Sequence, residues 1–525
     1  MVQIEQWGVL ELKFSGRKDG NPFTDYTIQA VFTGENGKTI KTDGFYDGEG
    51  IYIVRFMPEE TGHFSYEVSG SFQNVSTQNS ESDLAGGFAV IAACSPRNHG
   101  PVRVYAERYL AYADGTPYYS IGTTCYAWAN QTDDLQEQTL QTLAKSSFNK
   151  IRFCFFPKFY RYNTEEPVSY PYLRGVKRGQ DQERAAKAMH IGFHTDKPVA
   201  DITDFDCYQF NTEHFRRFDK RISQLRDMGI EADMILLHPY DKWGFSTMQR
   251  ECDELYLRYI VARYGCYRNI WWSMANEYDL MTKTTAEWKA YGELVKACDP
   301  YNHLRSIHNC LKFYDHHEDW ITHCSLQRID LYRHVEETDH LLEEYQKPVV
   351  WDEIAYEGNI MMGWGNITGQ EMVRRFWEAF LRGGHAGHGE TYLDPDDILW
   401  WSKGGVLHGT SEPRLAFLHQ IMQQTPGGFM KYGECGFDEV VGIPYTENRK
   451  TSWTEPAEFA DYEIHYYGFE QPAVIEFDLP EEKKFRAEVI DTWNMTITDM
   501  GIHSGYTAIQ MPGRQYMAIR LIREV

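Results

Sequence analysis

Two apolar runs in this 525-residue chain stop on carboxylates. The first, "NIWWSMANEYDL" at 269–280, is rich in tryptophan until it reaches Asn276 and Glu277, and the second, "PVVWDEIAYEG" at 348–358, reaches Asp352 and Glu353. An ionised group is costly inside a buried sheet, so a strand that ends on an acid is delivering it to an edge or a pocket mouth. Two carboxyl groups across one pocket suit glycosidic bond cleavage, where one protonates the leaving oxygen and the other attacks the sugar or activates water. Other apolar runs also end on, or carry, polar and aromatic residues: Arg152 in "NKIRFCFF", His238 in "MILLHPY", His308 in "LRSIHNC", and Tyr356, His388, Trp128 and Trp401. Arg152 could hold a nearby carboxylate ionised, and the tryptophans could stack on sugar faces. Each also has a bland reading, since strand-end histidines are often satisfied polar groups and most tryptophans pack in cores. "HAGHGE" and "DHHED" lack the HExxH spacing of a helical zinc site, so neither a metal nor a cofactor is expected.

Residues so far apart must be brought together by a repeating scaffold. From 96 to 430 strand-like runs alternate with amphipathic segments such as "EHFRRFDKRISQLRDMG" and "TGQEMVRRFWEAFLRGG", whose terminal glycines can cap a helix. Strand–helix repetition over this length predicts a parallel α/β domain. No glycine-rich dinucleotide fingerprint follows the first strand, and polar residues recur at strand ends, so the expectation is a (β/α)8 barrel with its site at the C-terminal face. Glu277 and Glu353 are 76 positions apart, room for three strand–helix units of about 25 residues each between strands four and seven. Short alternating runs separated by turn clusters at 1–95, and again at 431–525, predict an antiparallel β-sandwich at each end.

On these residues the chain resembles the clan A glycoside hydrolases. In that clan an Asn-Glu pair ends strand four with the Glu as acid/base, and a second Glu ends strand seven as nucleophile; Asn276-Glu277 and Glu353 match those positions. "FNKIRFCFF" is similar to the clan's second-strand segment with its Arg, here Arg152, and "HPYDKWGFS" and "WDEIAYEG" resemble a subgroup of glycoside hydrolases that carry the same flanking sandwiches. The resemblance implies a retaining enzyme in which Glu277 is acid and then base, Glu353 attacks the anomeric carbon, and Asn276 bonds the adjacent sugar hydroxyl. Asp352 and Glu357 flank Glu353 and stay open as alternatives. The clan's strand-six Tyr has no counterpart: "HCSLQ" offers His323, Ser325 and Gln327.

A formal charge of −24 argues against nucleic acid and toward a neutral oligosaccharide or glycoside. No stretch is apolar enough to span a bilayer, the N-terminus lacks a signal pattern, and the ten cysteines include no CxxC pair. These features predict a cytoplasmic protein without membrane or nucleic-acid partners; they leave its oligomeric state open. The non-catalytic alternative is a carbohydrate-binding protein on the same barrel. Finally, the long connection at 157–206 carries Phe159, Tyr160, Tyr162, Tyr170 and Tyr172, and is expected to fold over the open face and narrow it for short substrates.

Overall fold

The computed structural model describes residues 2–73, 82–188, 203–330, 332–394, 399–435, 439–451 and 458–524. Eight strands, β1 (Ile121–Thr124), β2 (Lys150–Cys154), β3 (Glu231–Leu237), β4 (Ile270–Ala275), β5 (Arg305–Ser306), β6 (Cys324–Gln327), β7 (Val349–Glu353) and β8 (His385–His388), form one sheet ordered β5-β4-β3-β2-β1-β8-β7-β6. Every pairing in it is parallel. A further parallel bridge between His308 and Ser325 joins β5 to β6 and closes the ring. The strands are buried along their length because helices cover them from outside: α1 (Asp133–Leu143), α2 (Thr212–Met228), α3 (Arg250–Tyr264), α4 (Thr285–Cys298), α5 (Thr338–Tyr345), α6 (Gly369–Leu381) and α7 (Glu412–Met422). This is the (β/α)8 barrel expected from the strand–helix repetition. Gly229 ends α2 at φ 71°, a left-handed cap that an L side chain adopts only at a cost.

The inside of the barrel is charged. Lys150 Nζ lies 3.0 Å from Asp233 and 2.5 Å from Asp352, and Arg152 lies 3.3 Å from Asp233, all with side chains 1% exposed. Two cations balance two anions, which is the condition under which buried charge is tolerated. Removing any one would leave an unpaired ion in the core.

Before the barrel, a five-stranded and a three-stranded sheet enclose Phe14, Phe32, Phe56 and Phe88. The expected antiparallel pattern holds except for Val2–Glu5, which runs parallel to Ala85–Ile91. This sandwich is fastened to the barrel by Arg55, which bonds both oxygens of Asp219 on α2 at 3.0 Å while Arg263 of α3 shares the same carboxylate. After the barrel, a six-stranded antiparallel sheet and a two-stranded one enclose Phe477, Phe485, Ile519 and Leu521.

Candidate active site

β4 ends at Ala275, and the chain then turns sharply. Asn276 N–H still bonds Leu237 O at 3.0 Å, while Glu277 adopts φ 53°, ψ 55°. Successive strand residues face opposite sides, so two neighbours can share a pocket only if the backbone departs from the strand. Here the departure is a left-handed residue rather than a bulge, and it turns both side chains to the barrel mouth. A non-glycine residue in that region costs on the order of 1 kcal/mol. Tyr278 N–H to His308 O at 3.0 Å and Leu280 N–H to Glu277 O at 3.0 Å hold the turn against that cost.

Glu277 and Glu353 line one cavity of about 450 Å³ together with Asn276, Tyr126, Tyr240, Gln327, Tyr356 and Trp401. Their surroundings differ in sign. Burial raises the Glu277 pKa and the negative charge of Glu353 raises it further, against weaker pulls from Lys158, Tyr240 and His308. Tyr240 Oη donates to its Oε2, and Gln327 Nε2 donates to Oε1 at 3.2 Å. Burial would raise Glu353 as well, but His308, Tyr126 and Lys158 overcome it and bring the carboxyl down to about 2. Tyr126 Oη donates to Glu353 Oε1, and His308 Nε2 lies 3.2 Å from the same oxygen. Behind His308, Nδ1 meets Ser325 Oγ at 3.0 Å, and that hydroxyl donates to Asp352 Oδ2 at 2.5 Å. With the Ser325 proton committed to Asp352, the ring donates Nδ1–H to Ser325 Oγ, and this bond holds His308 in place behind Glu353. One carboxyl group is thus pushed toward its protonated form and its neighbour toward the ionised form, the direction required of an acid and a nucleophile.

The structure brings Asn276, Glu277, Glu353, Tyr356 and Trp401 together at the cavity wall. Five other sequence candidates lie outside the cavity lining, and their assignment as sugar contacts is corrected. Trp128 is fully buried, packed edge-on against Phe153 with its N–H on Gln136 O, so it is core. His238 is 2% exposed and bonds Phe156 O at 3.1 Å; burial drives its pKa down to about 3, so the ring is neutral. His388 is fully buried against Phe148 and bonds Thr123 Oγ1 at 3.0 Å. Arg152 reaches no cavity surface, yet its Nη2 bonds Asn276 Oδ1 at 3.3 Å and so fixes the amide rather than a sugar. His308 sits behind Glu353 and contacts the carboxylate, not the cavity.

Asp352 and Glu357, the alternative nucleophiles, are both committed to the protein. Asp352 is held by Lys150 and Ser325, and Glu357 accepts from Thr410, Ser411 and Tyr392. Glu357, His388 and Glu390 are the one buried group among the described residues with ligand atoms close enough for a metal, all within 4.8 Å of one another. The main-chain N–H groups of His408 and Gly409 already bond Glu390, so hydrogen bonds account for both carboxylates without an ion. The group lies outside the cavity lining.

The sequence offers Tyr126, Tyr240 and Gln327 at strand ends but assigns them no role, and it does not single out Lys158. The first three stand at or just beyond strand ends, which was a usable signal; Tyr126 gives Glu353 the hydroxyl that no strand-six Tyr supplies. Lys158 begins the long connection after β2, where nothing in the pattern marks it. That connection does reach the cavity, through Lys158 and Tyr160, and Tyr162 packs against Trp401. Tyr172 lies instead in a two-stranded ribbon with Phe205–Phe210, and residues 189–202 of the expected cover lie outside the described residues.

Comparison with known proteins places these observations in a family. Residues 105–405 match the model of the Apiosidase-like catalytic domain, and residues 3–71 and 453–522 match two domains of unknown function, DUF5060 and DUF5605. The chain is similar to a "putative glycoside hydrolase" from Bacteroides vulgatus, at 33% identity over 100% of both chains and a TM-score of 0.86. It shares its fold with a family 5 glycoside hydrolase from the same organism, at 16% identity over 82% of this chain and 95% of that one, TM-score 0.58. No curated protein matches in sequence. With the catalytic-domain model spanning 105–405 of 525 residues and a full-length relative at 33% identity, the chain belongs to the Apiosidase-like family and is a glycoside hydrolase.

Proposed function

We propose that this glycoside hydrolase works by double displacement with retention, on short soluble oligosaccharides or glycosides. The observation that carries the reading is that Glu277 and Glu353 line one cavity in surroundings that push their pKa values in opposite directions. Glu353 attacks the anomeric carbon while Glu277 passes its proton to the leaving oxygen, and a glycosyl ester forms on Glu353. Glu277, now ionised, takes a proton from water, and that water attacks the same carbon and releases Glu353. Asn276, fixed by Arg152 and Tyr126, bonds the sugar hydroxyl beside the reacting carbon. Tyr240 and Gln327 hold the Glu277 carboxyl in place through both steps.

A cavity of about 450 Å³, near the small end of ligand pockets, favours one or two sugar rings over a long polymer cleft. Its walls come from the connections after β2, β6 and β7, through Tyr160, Arg328 and Trp364. The test is Glu353→Ala with added azide. Turnover should vanish in the variant and return in part as a glycosyl azide of inverted configuration. An active Glu353→Ala enzyme with a dead Asp352→Ala or Glu357→Ala enzyme would overturn the assignment. Glycan binding with no sugar released from a broad panel would favour the non-catalytic alternative instead.

A further inference from the structure

Among the described residues Lys158 is the only lysine lining the catalytic cavity, and it is 2% exposed. Among the described residues no carboxylate stands within ion-pair distance of its ammonium and no side chain or carbonyl accepts from it. Rings surround it instead: Nζ lies 3.5 Å from the centre of Tyr126, 4.1 Å from Tyr240, 4.7 Å from Tyr160 and 5.6 Å from Trp401. Aromatic faces stabilise a buried cation but do not satisfy three N–H donors. The missing acceptors must come from whatever enters the cavity.

The cage also fixes which part of the substrate meets the ammonium. Tyr126 bonds Glu353 and Tyr240 bonds Glu277, so Lys158 stands against the two rings that hold the carboxyl groups, where the sugar to be cleaved would bind. The charges there are nearly spoken for. Glu277 accepts from Tyr240 and Gln327, Glu353 accepts from Tyr126 beside His308, and Arg328 at the rim is paired with Glu337. Lys158 is the cation of the lining that no carboxylate contacts among the described residues. His334, 2% exposed with both ring nitrogens unpartnered, lines the same cavity and can add a neutral hydrogen bond.

Resting on the reading of this cavity as the glycosidase site, we infer that the sugar bound there carries one carboxylate, as a uronic acid residue does, and that Lys158 selects it. A sugar hydroxyl could accept one bond, whereas a carboxylate accepts and also answers the ammonium in contact; a dianionic phosphate would bring a second negative charge toward Glu353. The net charge of −24 does not conflict with this. It repels polyanions at long range, where salt screens it within about 10 Å, whereas a dry ammonium acts on a single group in contact.

The experiment is a binding comparison that needs no turnover. Quenching of the pocket tryptophans, or calorimetry, would give dissociation constants for D-glucuronate and D-galacturonate, their uncharged amides, and D-glucose and D-galactose. A charge-assisted hydrogen bond predicts that a uronate binds about 10- to 100-fold more tightly than its amide or the parent hexose. Lys158→Gln should bring that ratio close to one, and Lys158→Arg should keep part of it. Equal binding by the wild-type protein, a ratio that survives in folded Lys158→Gln, or tighter binding of the 6-phosphates would each overturn the inference. The wild-type comparison decides alone if Lys158→Gln fails to fold. Selective uronate binding without hydrolysis would sink the hydrolase mechanism and leave this inference standing; faster hydrolysis of neutral glycosides than of uronides would do the reverse.

Discussion

Replacing Tyr126 by Phe removes one oxygen from the site and leaves the ring against Trp401, 5.5 Å between centres. That oxygen donates to Glu353 and touches Asn276 at 3.3 Å. A hydrogen bond to a buried carboxylate is worth about 1.5–3 kcal/mol, and 1.36 kcal/mol corresponds to one pKa unit, so the Glu353 pKa should rise by about 1–2 units. The sign follows from which form loses its donor: only the anion accepted this bond, so protonation becomes easier. From about 2, the group would move to roughly 3–4, still held below an ordinary Glu by His308 and Lys158. The acid limb of kcat/KM should therefore shift upward by about 1–2 pH units while activity near pH 7 keeps its ionised nucleophile. The assay is a pH–rate profile from about 2.5 to 9 on an aryl glycoside found by screening, with melting temperature as the control for folding. An unmoved acid limb in a protein of unchanged stability would refute the claim that Tyr126 holds the nucleophile ionised.

Glu277→Ala should lose the basic limb of that profile and keep measurable activity only on substrates with good leaving groups, which need little protonation; equal loss on activated and unactivated aryl glycosides would count against its acid role. Glu231 is fully buried and its pKa is raised to about 8, by burial first, against the Trp271 N–H bond at 2.9 Å. A raised carboxyl stabilises the fold fully below its unfolded pKa of about 4.5, and that contribution is lost as pH rises toward 8, so wild-type stability should fall over this window. Glu231→Gln should flatten the fall and be the more stable form at pH 8, by on the order of 2 kcal/mol, in chemical denaturation; an identical pH dependence in both proteins would contradict the burial argument. On a polysaccharide and its short fragments, the fragments should be degraded faster with monosaccharide or disaccharide products, and a rapid drop in polymer viscosity would show the cavity to be an open cleft.

The linear sequence determined the parts of this protein that depend on periodicity and on strand ends. Apolar runs bounded by helical segments required a barrel, and the runs ending on Asn276-Glu277 and Asp352-Glu353 marked two strands that deliver acids to its mouth, because an unpaired carboxylate cannot stay within a buried strand. What the sequence could not determine was the direction each strand-end side chain takes. His238 and Glu277 both follow apolar strands, yet one turns back onto Phe156 O while the other is swung into the cavity by a left-handed residue that no local pattern demands. Trp128 and Trp401 are equally plausible sugar platforms as letters, and only packing separates the core residue from the cavity wall. Tertiary structure alone decided the electrostatics: Lys158, Tyr126, Tyr240 and His308 come from four connections of the ring, and they set the direction in which each carboxyl is pushed only because closure of the barrel brings them within a few ångströms. A pKa is a sum over neighbours in space, and the sequence orders neighbours along a line.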